Sequence, residues 1–173
     1  LMFSTHGILK PASGEPVAVP TRDIIFGCYY LTSISPLAPG EGKVFSSESE
    51  ALLAYDYELI NLRAKIKVKI SKEAKDSDTS FIETSVGRII FNQALPTDHP
   101  FVNQTLDRGG LRTLEAEIFD KYSEERTVEF LDKIKDYGFH YSTLSGVSWG
   151  MGDLRIPAEK KAIIAETEKI VEA

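Results

Sequence analysis

The chain has a single cysteine, Cys28, among 173 residues, so no internal disulfide can form, and this usage fits a reducing compartment. It has no apolar run long enough to span a bilayer and no signal-peptide pattern at its start, which together point to the cytoplasm. An excess of positive charge is also missing. Twenty Lys and Arg stand against 26 Asp and Glu, a net of −6, whereas a chain that grips nucleic acid by itself needs clustered cations. The histidines, His6, His99 and His140, are too scattered for a sequence-local zinc motif, and Asp98-His99 beside Pro100 reads as a turn. Ser145 and Ser148 lack a Gly-x-Ser-x-Gly elbow, and no Gly-Lys-Ser/Thr follows Gly146, Gly150 and Gly152, so neither a hydrolase nucleophile nor a phosphate loop is signalled. A small hydrolase built on His99 or His140 would need those rings to meet a serine or a carboxylate in the fold. The first residue is Leu1 rather than Met, and the expectation is a segment cut from a longer chain.

What is present suffices for a core: 42% hydrophobic and 27% charged residues predict a soluble globular chain of one or two small domains. Residues 1–30 read as an apolar start, a turn, a short strand and a helix. Lys10-Pro11 and Ser13-Gly14-Glu15-Pro16 supply the turn, and Pro16 to Val19 is extended. Thr21 stands as N-cap with Asp23 in the first turn, and Ile24, Ile25, Cys28 and Tyr29 follow at helical spacing. Ser33 to Gly42 is a loop, and Ser47 with Glu50 forms a capping box for a helix through Leu52, Leu53 and Tyr55. In the clearest strand, Leu62, Ala64, Ile66, Val68 and Ile70 alternate with Arg63, Lys65, Lys67 and Lys69. Its cationic face either meets phosphates or, more commonly for such a face, is solvated or paired with acidic neighbours. Asp76-Ser77-Asp78 marks a hairpin tip and Phe81 to Val86 the return strand, which predicts a small antiparallel sheet.

After Pro100 the period changes to that of a helix. Leu111, Leu114, Ile118 and Tyr122 line one face, and Val128, Leu131 and Ile134, flanked by Phe130 and Tyr137, line a second. Ser123 is placed to cap the second helix and Gly138 to end it, so the two form a helical hairpin. Phe139 to Ile156, with its glycines around Trp149, is expected to be a close-packed irregular turn. Pro157 opens a last helix with a stripe of Ile163, Ile164, Ile170 and Val171, which reads as truncated and as half of an antiparallel pair. The fold class is α+β: a sheet with helices, then a helical hairpin and a truncated C-terminal helix.

The order of certain residues carries a resemblance. Ser4-Thr5, Ile8-Leu9, Pro11, Gly14, Pro16, Pro20, Asp23, Gly27 and Tyr29-Tyr30 form a first block. Thr84-Ser85-Val86-Gly87-Arg88 with Phe91-Asn92 and Leu95-Pro96 form a second, and Phe101-Val102-Asn103 a third. Gly138-Phe139, Ser145-Gly146, Ser148, Asp153, Ile156-Pro157 and Lys160 complete the series. In this order the blocks resemble the largest subunit of multisubunit DNA-dependent RNA polymerase, bacterial β′, and they span nearly the whole chain. The resemblance implies a pore domain over residues 1–137 and the start of the funnel, at the rim of the secondary channel, over 138–173. It implies the wall of the passage through which nucleotides enter and into which a backtracked transcript 3′ end is extruded. It also implies partners: the rest of β′, the β, α and ω subunits, template DNA, nascent RNA, and transcript-cleavage factors at the rim helix.

The aspartates that hold the family's catalytic Mg²⁺ lie in an Asn-Ala-Asp-Phe-Asp-Gly-Asp motif that this chain does not contain, so RNA synthesis by two-metal phosphoryl transfer is implied for the parent enzyme only. No catalytic or metal-ligating residue is assigned here. Carried over by position, Arg22, Asp23, Arg88 and Arg108 are the candidates facing nucleotide or RNA. Arg22 stands where bacterial relatives usually have Gln, His6-Gly7 replaces a pair of Asn, and Gly109 replaces the second of two basic residues that begin at Arg108. On the helix bearing Glu125, Glu129, Asp132 and Asp136, Glu125 replaces a Lys and Asp136 a Tyr, so a guanosine tetraphosphate site found there in some relatives is expected to be absent or weak. The alternative reading is a free-standing protein-binding module with a pore-domain-like fold.

Overall fold

Helix α1 (Asp23–Thr32) is the element on which the rest is assembled, and its inner face is Gly27, Cys28, Leu31 and Thr32. The computed structural model describes residues 7, 12, 17, 19–70 and 81–171; the turn residues Lys10-Pro11 and Ser13-Gly14-Glu15-Pro16 and the hairpin tip at Asp76 to Asp78 lie outside them. Arg22, not Thr21, occupies the N-cap position of α1, because the helix begins one residue later than the Thr21 cap requires. The predicted loop from Ser33 follows and leads into a two-residue strand, β1 (Val44–Phe45). Ser47 caps α2 (Glu48–Asp56), its Oγ accepting the Glu50 N–H at 3.2 Å. The returning Glu50 carboxylate accepts from the N–H and hydroxyl of Ser46, one residue earlier than the reciprocal capping box expects.

The alternating run yields β2 (Ile66–Lys69), and Leu62, Ala64, Ile66, Val68 and Ile70 are all buried. Strand β3 (Phe81–Thr84) returns antiparallel to it, pairing Lys67 with Glu83 and Val68 with Ile82. The sheet is mixed rather than purely antiparallel, because β1 joins the other edge of β2 in parallel through the α2 crossover. Val44 and Phe45 are too few to show an alternation in sequence. The return strand stops at Thr84, not Val86, because the Ser85 hydroxyl accepts the Arg88 N–H at 3.3 Å and starts α3 (Val86–Asn92). All residues of α3 except Ile90 are buried, so this helix has no polar side and no amphipathic period to read.

The two predicted stripes fold as α4 (Arg108–Lys121) and α5 (Glu124–Ser145), with Asp107 capping α4 through the Gly110 N–H. Gly138 does not end α5. The helix continues to Ser145 and closes at Gly146, which adopts φ +62°. Gly138 is instead where α5 meets α1. A methyl group on Gly138 would stand 2.6 Å from Ile24 Cα, and one on Gly27 would stand 1.8 Å from the Gly138 carbonyl oxygen. Two glycines facing each other let the backbones touch, and this contact outweighs the roughly 1 kcal/mol that glycine costs inside a helix. The inner face of α5 is accordingly Thr127, Phe130, Ile134, Gly138 and Tyr141, and its chief neighbour is α1 rather than α4.

Burial ends abruptly. From Gly146 to Val171 every described residue is exposed, including Trp149 at 73%, so the loop after α5 is not the close-packed turn expected from its glycines. A short 3₁₀ turn, Met151–Asp153, precedes α6 (Lys160–Val171), which begins three residues after Pro157. The expected domain boundary at 137 and 138 falls inside α5, and the change in packing comes at Gly146.

Candidate functional site

The four candidate residues do not converge on one site. Arg22 and Asp23 stand exposed at the N-terminal end of α1, where Arg22 is held at φ +47°, a conformation costly for a residue with a Cβ. Arg88 lies at the opposite end of the same helix, since its Nε donates to the Thr32 carbonyl at 2.9 Å. Ten residues of helix separate the two by about 15 Å along the axis. Arg108 is exposed at the start of α4, close to the Arg88 end, because the Leu106 N–H donates to Thr32 Oγ1 at 2.9 Å.

Arg88 is turned inward. Its Nη1 donates to the Asn103 carbonyl (3.1 Å) and to Asn103 Oδ1 (2.9 Å), and its Nη2 to Thr105 Oγ1 (3.2 Å). The residue is 8% exposed, and burial lowers its pKa. Its partners among the described residues are neutral oxygens, and through them it ties α1 to the segment that leads into α4. Asn92 does similar work one turn later. Its Oδ1 accepts the Val102 N–H at 2.8 Å and its Nδ2 donates to the Val102 carbonyl at 2.9 Å, as a neighbouring strand would. Nothing in the sequence pattern distinguishes this role for Asn92 except an amide set among apolar neighbours.

The cationic face of β2 is mostly solvated and paired. Glu83 on β3 accepts from Lys65 and lies 3.9 Å from Lys67, and the bonded Lys65 ammonium holds its carboxyl below the usual range. The Arg63 guanidinium lies over the Tyr30 ring at 4.7 Å. His99 is buried, with Nδ1 bonded to the Pro100 carbonyl at 2.8 Å and Nε2 3.9 Å from Glu117, and His140 packs edge-on against Tyr141. Neither ring meets a serine hydroxyl among the described residues, and the Glu117 carboxylate stands beyond hydrogen-bond reach of His99. Glu115 on α4 is a further buried acid: neither carboxyl oxygen has a hydrogen-bond partner among the described residues, and burial pushes its pKa up to about 7 against the opposing pull of Arg112. On the outer side of α5, Glu129 pairs with Lys133 at 2.9 Å, and Lys135 lies between Asp132 and Asp136 at 3.2 and 3.5 Å.

Among the described residues no group of three or more His, Cys, Asp or Glu has the geometry to hold a metal ion. No helix among the described residues is long and apolar enough to cross a membrane.

The comparisons with known proteins agree with one another. Residues 7–154 match the family model for RNA polymerase Rpb1, domain 3. The chain is 44% identical over 172 residues to the DNA-directed RNA polymerase subunit beta' of Sulfurihydrogenibium sp. (strain YO3AOP1) and 43% identical over 173 residues to that of Aquifex aeolicus (strain VF5). It is 40% identical over 185 aligned residues to that of Caldanaerobacter subterraneus subsp. tengcongensis. These alignments cover 99% of the chain but 10%, 10% and 16% of the respective relatives, so the chain spans at most about a sixth of their length. The matched stretch contains α1 through α5, the glycine contact between α1 and α5, and the Arg88 network, and with it the chain belongs to the RNA polymerase Rpb1, domain 3, family.

Proposed function

We propose that this chain works as part of the β′ subunit of a cytoplasmic DNA-directed RNA polymerase, forming wall of the secondary channel through which nucleotides enter and a backtracked RNA 3′ end is extruded. The observation that carries the reading is the family match over residues 7–154, together with about two residues in five identical to curated β′ subunits over 99% of the chain. The chain is non-catalytic in this reading. Magnesium supplies the phosphoryl-transfer chemistry of the parent enzyme, held by aspartates outside this chain, while the residues described here position the wall. Residues 1–137 act as the pore domain, and residues 138–173, exposed after Gly146 among the described residues, begin the funnel and its rim, where cleavage factors would dock. The remaining β′ regions, the β, α and ω subunits, template DNA and nascent RNA are the implied partners.

Arg22, Asp23 and Arg108 are the surface candidates for that passage, with Arg88, near Arg108 at the other end of α1, holding α1 and the start of α4 in register. Cations on such a wall raise the local concentration of triphosphates and RNA, both polyanions. Polymerase assembled from the full-length subunit with Arg22→Glu and Arg108→Glu tests this. The KM for nucleoside triphosphates should rise, up to about tenfold at low salt, with kcat at saturating nucleotide changed much less. An unaltered KM, together with unaltered cleavage of backtracked complexes, would remove these residues from the passage.

A further inference from the structure

The outer face of the sheet gathers cations and an aromatic ring in a chain whose net charge is −6. Ile66 and Val68 of β2 are buried, so Lys65, Lys67 and Lys69 share the opposite face. Strand register adds to it: Val44 and Glu83 flank Lys67 in one row across the sheet, and Phe81 stands beside Lys69 in the next. Lys65, Lys67, Val44 and Phe81 are each about half exposed. Glu83 bonds Lys65 and lies 3.9 Å from Lys67, and among the described residues it is the one acid in register with the three lysines, which leaves a surplus of two positive charges. The acids beside β1 in sequence fold back instead, Glu41 accepting the Leu37 N–H and Glu50 the Ser46 N–H. The edges of the sheet are poor places for a peptide to add a strand, since β1 is two residues long and Asn103 Nδ2 already donates to the Glu83 carbonyl of β3 at 2.8 Å. A ligand therefore meets the face through side chains.

We propose that this face is a platform for single-stranded nucleic acid, with successive phosphates on Lys65, Lys67 and Lys69 and a base stacked on Phe81; it rests on the reading of the parent protein as an RNA polymerase, which supplies such strands. Geometry selects the occupant as well as charge. Alternate residues of a strand are about 6.7 Å apart, a step close to that between successive phosphates of an extended single strand, so one lysine serves each phosphate. The exposed ring supplies what an acidic peptide does not need, since every unpaired base has a flat π face to lay on it, whatever the sequence. A duplex turns its bases toward one another and leaves Phe81 bare. Because Glu83 already holds Lys65, the strongest contacts fall at the corner formed by Lys67, Lys69 and Phe81. Single strands of RNA and DNA share this chemistry.

Lysine acetylation of polymerase assembled with the full-length subunit, followed peptide by peptide by mass spectrometry, tests the assignment. Lys65, Lys67 and Lys69 should react freely in enzyme without nucleic acid, and a uridine oligomer should slow their modification about fivefold at low salt, with the protection fading as salt is raised. A thymidine oligomer in its place distinguishes DNA from RNA, and protection by either supports the platform. Phe81→Ala should remove most of the protection while the lysines of the free enzyme stay reactive, and Lys69→Gln should weaken protection at Lys67. Equal protection by a glutamate oligomer or by a duplex, or undiminished protection in Phe81→Ala, would reduce the face to a general attraction for anions and overturn the proposal. So would lysines already unreactive before nucleic acid is added, which would mean that a protein neighbour covers the face. Transcription by the same preparation reports separately on the parent enzyme, so lysines left unprotected in active polymerase overturn the platform alone.

Discussion

Helices α5 and α6 carry apolar residues at equally regular spacing, yet Phe130, Ile134 and Tyr141 of α5 are buried while Ile163, Ile164 and Val171 of α6 are 60%, 45% and 79% exposed. Periodicity declares a helix and a side that avoids water; it does not name the surface that will cover that side. What distinguishes the two is a glycine. α5 has Gly138 facing Gly27 of α1, which allows backbone contact, and α6 has no glycine at all. The residue first read as a stop signal in α5 is the mark of its partner.

The sharpest way to break this contrast is to add a side chain at the contact. Gly138→Val should destabilise the chain by about 3 kcal/mol or more in denaturant unfolding, because Ile24 and the α1 backbone occupy the space. Gly152→Ala, with open space around it, serves as the reference and should change stability by less than about 0.5 kcal/mol. Next in size is the comparison of the two stripes. Ile134→Ala should cost about 2–5 kcal/mol, whereas Ile163→Ala should stay within about 0.5 kcal/mol. A comparable cost at Ile163 would mean that α6 packs onto the body.

A further expected effect concerns pH and is centred on Glu115 in the packed region. Glu115 has a folded pKa raised to about 7 from an ordinary value of 4.5, so the folded state holds its proton over a range where the unfolded state has released it. Stability therefore falls as pH rises from about 4.5 to about 7 and then levels off. Glu115→Gln, which cannot ionise, should flatten that slope in unfolding curves taken across the same range. A slope that persists in the variant would assign the titration to another group.

Much of the architecture was legible from residue order. The alternation from Leu62 to Ile70 located a strand and its buried side, and Leu111, Leu114 and Ile118 located α4 and its inner face. The elements that escaped did so for identifiable reasons. α3 is buried nearly all round and shows no period, and β1 is two residues long. Gly138 has two physical uses, ending a helix or admitting a neighbour, and local sequence does not separate them. The candidate residues were legible as charges but not as positions. Arg22, Asp23 and Arg108 are exposed, whereas Arg88 spends its donors on Thr32, Asn103 and Thr105, three partners that lie far from it in sequence.

The contact between α1 and α5 also contains the chain's one thiol. Cys28 is fully buried there, its Sγ 4.0 Å from the Ile134 carbonyl, and burial pushes its pKa up to about 12. A thiol so protonated and so enclosed is inert to alkylating reagents until the two helices part. The rate at which Cys28 becomes labelled is thus a native clock for separation of α1 from α5, readable without introducing any foreign group beforehand.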